Sequence, residues 1–330
     1  MSGNEVGAML LNYILSQRLE KGTLPKSAIA VKSFVSTDLA EVIAKKYNCT
    51  FKNLLTGFKY IGEQIALLEA GQPFLGEGKF SGIRISTRPD AIDAAVLERL
   101  QAYHVTAVEL GAQSMCDRVL RLNDRGHDAR AVRTASAMLR QAGLSLGLQQ
   151  MVGLYGSTLQ DEYDTLEQLL ACQPETLRIY PTVVLAGTKL AEYCQPGVYP
   201  ALSQEEVLDY CADALCRCHN AGVRVIRLGL HDTPSLRAEM RAGYFHPAYG
   251  ELAESRLYLR QLQKAAADCG KPELFVETAL RTMSKVLGQH GCNRKALAEQ
   301  GVTLRVQECA AVSPGTFLAD GKCYGIYREK

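Results

Sequence analysis

The sequence predicts an α/β protein built around a partial parallel (β/α) barrel, with a short α/β/α segment before it and a small α+β segment after it. Three observations carry this expectation. Between residues 82 and 230, short apolar runs alternate with helix-length amphipathic runs, the pattern of strand, crossover helix and parallel strand. Polar residues collect at the carboxyl ends of those runs, where parallel barrels hold their ligands: Ser86, Thr87, Glu109, Gln113 and Gln149, with Arg125 and His127 close behind. After about residue 255 the pattern changes to a helix rich in Leu, Gln and Lys, then strand, two helices and strand.

Taken in order, Val6, Met9, Leu10, Tyr13 and Ile14 have the spacing of an amphipathic helix, capped by Ser2 or Asn4 and ending near Arg18. Residues 29–34 form a β-branched strand. Asp38 caps the next helix, with Glu41 at the capping-box position, and 50–55 is a second strand, which completes a βαβ unit. A helix over 61–70 leads to Gly71, Pro73, Gly76 and Gly78, a turn before the first barrel strand. Strands are expected at 82–87, 107–113, 145–152, 177–184 and 223–230, with helices between them. His246 and Pro247 mark the connection to the tail. The domains are then 1–64, 65–254 and 255–330.

Composition excludes several classes. The 37 Lys+Arg and 35 Asp+Glu among 330 residues leave no net field to gather nucleic acid or acidic ligands, so such a partner needs a local patch. Without an apolar leader region or a run long enough to span a bilayer, the sequence is read as cytoplasmic with no membrane partner. In that setting the 11 cysteines are expected as buried thiols or ligands rather than disulfides.

The spans GIRISTRPDAID, VTAVELGAQSMCDRVLRLNDRGH, LSLGLQQMVGLYGST and LRIYPTVVLAGTKLAEY resemble, in order, the radical S-adenosylmethionine (radical SAM) enzymes of the Elongator catalytic-subunit type. More distantly they are similar to oxygen-independent coproporphyrinogen oxidase. VIRLGLH and YFHPAYGEL fit a bacterial branch without the acetyltransferase domain. The resemblance implies a 4Fe-4S cluster on three cysteines that reduces S-adenosylmethionine to a 5′-deoxyadenosyl radical, used in the Elongator relatives on transfer RNA. It makes Gln113 and Arg125 contacts for S-adenosylmethionine and Gln149 a ribose contact, while Ser86 stands where the family has a carboxylate. Glu109 is either a ligand contact or a structural partner of an arginine such as Arg84.

That family places its cluster cysteines as C-x3-C-x2-C after the first barrel strand. The cysteines here, at 49, 116, 172, 194, 211, 216, 218, 269, 292, 309 and 323, contain no such spacing, so no cluster is expected in this chain and no catalytic residue can be assigned. Cys211, Cys216, Cys218 and His219 fit no zinc-finger spacing. Leu208, Cys211, Leu215 and Cys218 share one helix face, which makes these thiols small core hydrophobes and His219 a C-terminal cap; no metal site is expected.

GNEVGAMLLNYILSQ, AVKSFVSTDLAEVIAKKY and NLLTGFKYIGEQI are similar to the third domain of α-D-phosphohexomutases, the phosphoglucomutase and phosphomannomutase family, over residues 3–64. The phosphoserine loop, metal loop and sugar-binding loop of that family are missing, and Lys59 alone matches a phosphate contact. The chain thus resembles a chimera of two truncated genes, joined near residues 62–66, with neither parent's reaction intact. The strands at 29–34 and 50–55 are expected to dock beside 82–87 and cover an open sheet edge.

In the tail, KVLGQHGCNRKALAEQGVTLRV has the helix, G-x-x-G, helix, strand order of K-homology domains, whose loop clamps a nucleic-acid backbone. Gly288 and Gly291 would hold the loop, with Lys285, Arg294, Lys295 and Arg305 supplying charge. The sequence therefore reads as a truncated radical SAM protein whose ancestral reaction modifies RNA. The alternatives are a non-catalytic nucleoside- or RNA-binding remnant, or an inactive phosphohexomutase fragment.

Overall fold

The computed structural model describes residues 3–25, 28–33, 39–54, 68–69, 71–76, 80–194 and 199–327. The chain divides into two compact units, Met1–Lys59 and Tyr60–Lys330.

In the first unit, helix α1 (Gly3–Glu20), strand β1 (Ile29–Ser33), helix α2 (Leu39–Lys46) and strand β2 (Thr50–Leu54) follow one another, and β1 and β2 pair in parallel. Ala8, Leu15, Ala30, Ile43, Ala44 and Cys49 form its core. The sequence placed Met9, Leu10, Tyr13 and Ile14 on the apolar face of α1, but these four are exposed. The helix is apolar nearly all round, so periodicity alone does not select which stripe packs inward. Residues 61–67, Lys59 and the expected junction at 62–66 lie outside the described residues.

The second unit is organised by a five-stranded, all-parallel sheet in the order β3 (Ile83–Thr87), β4 (Val105–Gln113), β5 (Ser145–Val152), β6 (Thr176–Pro181) and β8 (Arg224–Leu228). Among the described residues, β1 and β2 pair with each other in a two-stranded sheet, and β3 pairs with β4. The crossover helices are α3 (Ala94–Ala102), α4 (Asp117–Leu122), α5 (Ala129–Gln141) and α6 (Leu159–Ala171). Each long one starts where a side chain meets an orphan amide: Asp93 accepts from Val96, Asp128 from Ala131, and Thr158 forms a capping box with Asp161.

The run expected as one strand at 177–184 breaks after Pro181. Its second part, β7 (Val183–Leu185), leaves the parallel sheet to pair antiparallel with β9 (Met240–Gly243). Helix α7 (Lys189–Glu192), helix α8 (Gln204–Asn220) and helix α9 (Pro234–Glu239) complete this region. Cys211, Cys216 and Cys218 are buried along α8, as their helical spacing requires, and burial pushes the Cys218 thiol up to about 12. His219 stacks on Tyr327, ring centroids 4.1 Å apart.

The tail begins with helix α10 (Tyr249–Cys269) and forms a sheet in the order β11 (Thr303–Glu308), β10 (Glu273–Thr278), β12 (Thr316–Ala319), β13 (Lys322–Gly325). Helices α11 (Met283–Leu287) and α12 (Cys292–Glu299) make the crossover between the parallel pair β10 and β11. Its core includes Ala212 and Cys216 of α8, so the tail packs directly on the barrel's last helix.

Candidate functional site

The two faces of the parallel sheet differ in kind. Val108, Leu110, Leu146, Leu148, Leu177 and Ile179 are buried on the side that the crossover helices cover. On the inner side stand Arg84, Ser86, Glu109, Gln113, Gln149, Arg178 and Tyr180, which alternation along each strand places together.

Glu109 is the hub of the inner face. Its Oε1 accepts from Arg84 Nη1 at 3.0 Å and from Arg178 Nε at 2.9 Å, and its Oε2 accepts from Ser86 Oγ at 3.2 Å. To reach Arg178 on β6, this β4 carboxylate must cross β5. It does so over Gly147, where a Cβ would come within 2.7 Å of Glu109 Cγ and 2.9 Å of Thr176 Oγ1. Of the two readings open for Glu109, the structural partner is the one its hydrogen bonds satisfy.

Toward the strand ends, the register of β4 on β5 slips between Leu110 and Gln113, and Gln113 takes a left-handed backbone with φ 66°. Its side chain folds back over Gly111 and accepts from Gln149 Nε2 at 3.2 Å. His127 pins this bulge from behind, its Nε2–H donating to the carbonyl of Ala112 at 3.1 Å. Burial, reinforced by nearby Arg125, holds His127 below its ordinary value and keeps it neutral. Arg125 lies beside the Arg88–Asp90 pair, in which Arg88 donates to both carboxylate oxygens, at 2.8 and 2.5 Å. Burial and then Arg88 lower its pKa, yet a guanidinium remains charged.

Of the four barrel positions singled out from sequence, Gln113 and Gln149 therefore meet. Ser86 is drawn to Glu109, and no hydrogen bond among the described residues joins Arg125 to either glutamine. In the tail, Lys285 pairs with Glu254 and Arg305 with Glu273, while Arg294 and Lys295 are exposed on α12. Gly288, at φ 74°, leaves room for Asn293, whose buried amide donates to the carbonyls of Ser255, Lys285 and Val286. Sequence reasoning missed Arg178, Arg227 and the buried Glu162. An arginine at an inward position of LRIYP was the available signal for the first.

Profiles of known families agree with this sheet. The radical SAM superfamily matches residues 52–169, and the radical SAM C-terminal domain matches residues 174–259. The chain belongs to the radical SAM superfamily. It is 35% identical over 122 residues to a tRNA uridine(34) acetyltransferase of Dehalococcoides mccartyi, covering 36% of this chain and 26% of that protein. To Elongator complex protein 3 of Saccharomyces cerevisiae it is 30% identical over 166 residues, 49% of this chain and 29% of that protein. The solved Elp3 of Methanocaldococcus infernus shares the fold, with TM-score 0.53 at 20% identity, over 74% of this chain and 64% of that one. The chain thus spans a little over a quarter of these two curated relatives, 26% and 29%.

All 11 cysteines lie among the described residues, no disulfide joins them, and no group of three or more His, Cys, Asp or Glu among the described residues converges to hold a metal. No helix among the described residues is long and apolar enough to cross a membrane.

Proposed function

We propose that this chain is a catalytically incomplete radical SAM protein that retains the nucleoside-facing half of the barrel and binds S-adenosylmethionine without reducing it. The observation that carries the reading is the Gln113–Gln149 amide pair. It is joined by a single hydrogen bond at the carboxyl ends of adjacent strands, so both amides keep donors and acceptors for a ligand. Arg125, in the loop between α4 and α5, supplies a further charged donor, and the Ser86 hydroxyl, whose proton goes to Glu109, keeps acceptor capacity. On this reading residues 65–254 are the partial barrel, 255–330 an extension, and 1–64 a phosphohexomutase-like fragment, supported by its parallel βαβ order and without a reaction of its own.

Anaerobic incubation with iron and sulfide, followed by calorimetry with S-adenosylmethionine, tests it. The expected result is saturable binding, weakened roughly tenfold by Gln149→Ala, with no cluster and no 5′-deoxyadenosine. Absence of binding rejects the nucleoside reading; cluster uptake with release of 5′-deoxyadenosine rejects the incomplete one.

A second reading, RNA binding by the tail, is supported by exposed Arg294 and Lys295 beside the G-x-x-G turn and by the tRNA enzymes among the relatives. Filter binding of bulk tRNA should then weaken as salt rises and on Arg294→Ala with Lys295→Ala. Binding no stronger than that of a neutral control protein rejects it.

A further inference from the structure

The far side of the inner face gathers positive charge that the amide pair does not use. Arg178 on β6 and Arg227 on β8 are register partners in parallel strands, so both side chains leave the sheet on the same side, with backbones about 5 Å apart. A bulge arranges this. Leu177 pairs with Val225, and unbroken register would set Ile226 against Arg178; the slip between Leu177 and Arg178 brings Arg227 there instead. Like charges placed side by side on one face repel, so the sequence places here what a sheet without a ligand would avoid.

The available countercharge is already committed. Glu109 serves Arg84 and Arg178 together. Asp232, the next carboxylate after β8, is held by both ends of the Arg237 fork, each contact at 2.6 Å. Arg178 spends Nε on Glu109 and Nη1 on Tyr180 Oη at 3.3 Å. Arg227 spends Nε on the carbonyl of Gly229 at 2.8 Å and makes no ion pair among the described residues. His231, exposed just past the end of β8, lies close enough to both arginines for their charge, after burial, to lower its pKa.

We infer that Arg178, Arg227 and His231 form a binding site for a phosphate-type oxyanion on the β6–β8 side of the inner face. Two neighbouring guanidinium forks offer more N–H donors than the two oxygens of a carboxylate can accept, whereas a phosphate group can bridge both. The inference goes beyond the nucleoside reading, which concerns β4 and β5, and its test does not require S-adenosylmethionine to bind.

Calorimetry of the full chain with inorganic phosphate should show saturable binding that Arg227→Gln weakens by roughly tenfold or more. Arg133→Gln removes the same charge from the exposed face of α5, where Arg133 donates to Gln168, and should leave the affinity unchanged. Absence of saturable binding, or equal loss in both variants, overturns the site. In the unmodified protein, phosphate should shift the ring-proton signals of His231, identified by their loss in His231→Gln, and leave those of His104 in place. An unmoved His231 overturns the inference even if Arg227→Gln does not fold. A short single-stranded oligoribonucleotide that competes with phosphate assigns the site to a backbone phosphodiester. One that does not compete assigns it to a free phosphate group.

Discussion

Gln149 and Gln150 are consecutive residues of β5, yet they belong to different kinds of surface. Gln150, wholly buried beneath α6, donates from Nε2 to Glu162 Oε2 at 3.1 Å and accepts at Oε1 from Tyr210 Oη at 2.8 Å. Glu162 in turn accepts from Ser157 Oγ at 2.6 Å and the Gly153 amide at 2.8 Å, tying the end of β5 to its following helix. Gln149, on the inner face, makes one bond and keeps the rest of its amide. The covered face consumes its polar groups to hold the fold; the inner face spends Glu109 in the same way but leaves the Gln113 and Gln149 amides partly spare. The tail's glycine corner follows the covered pattern, since Asn293 fills the space that the G-x-x-G turn opens.

The sharpest way to break this comparison is to remove the two glutamines in turn. Gln150→Ala leaves Glu162 and Tyr210 short of partners in a dry interior and opens a cavity, an expected loss of about 3 kcal/mol. Gln149→Ala removes one half-exposed bond and should cost about 1 kcal/mol or less while weakening nucleoside binding. Urea unfolding of the two variants under identical conditions measures the difference. Equal losses would mean that the inner face is as structurally committed as the covered one.

How much of this was legible in the sequence follows the same division. The strands at 83–87, 105–113, 145–152 and 224–228 announce themselves by apolar alternation and capped helices, and the helical spacing of Cys211 and Cys218 foretells their burial. The places of Gln113 and Gln149 at strand ends were legible, but not the hydrogen bond between them. What periodicity could not show were the events between strands: the bulges that turn Gln113 and bring Arg227 opposite Arg178, and the reach of Glu109 over Gly147. Each depends on the register of two segments far apart in sequence. The β12–β13 hairpin was legible but passed over, for Asp320 and Gly321, at φ 48° and 75°, are the Asp-Gly pair that such turns require.

Glu162 sharpens the comparison further through pH. Burial pushes its carboxyl up to about 7, against the opposing hydrogen bonds from Ser157, Gly153 and Gln150. An unfolded chain releases this proton near the ordinary carboxylate value, so between about 4.5 and about 7 the folded protein holds a proton that the unfolded one has lost. Stability from this group is therefore full at low pH, falls as pH rises through that window by about 3 kcal/mol, and levels off above it. His127 contributes with the opposite sign. Its pKa is lowered by burial, so its share of stability is lost as pH falls through its ordinary value toward the lowered one. Comparing unfolding free energies of the unmodified protein and Glu162→Gln from acid to neutral pH isolates the carboxyl. The unmodified protein should lose stability relative to the variant as pH rises; parallel curves would mean that the covered face holds Glu162 ionised, and that its polar network is wetter than its burial implies.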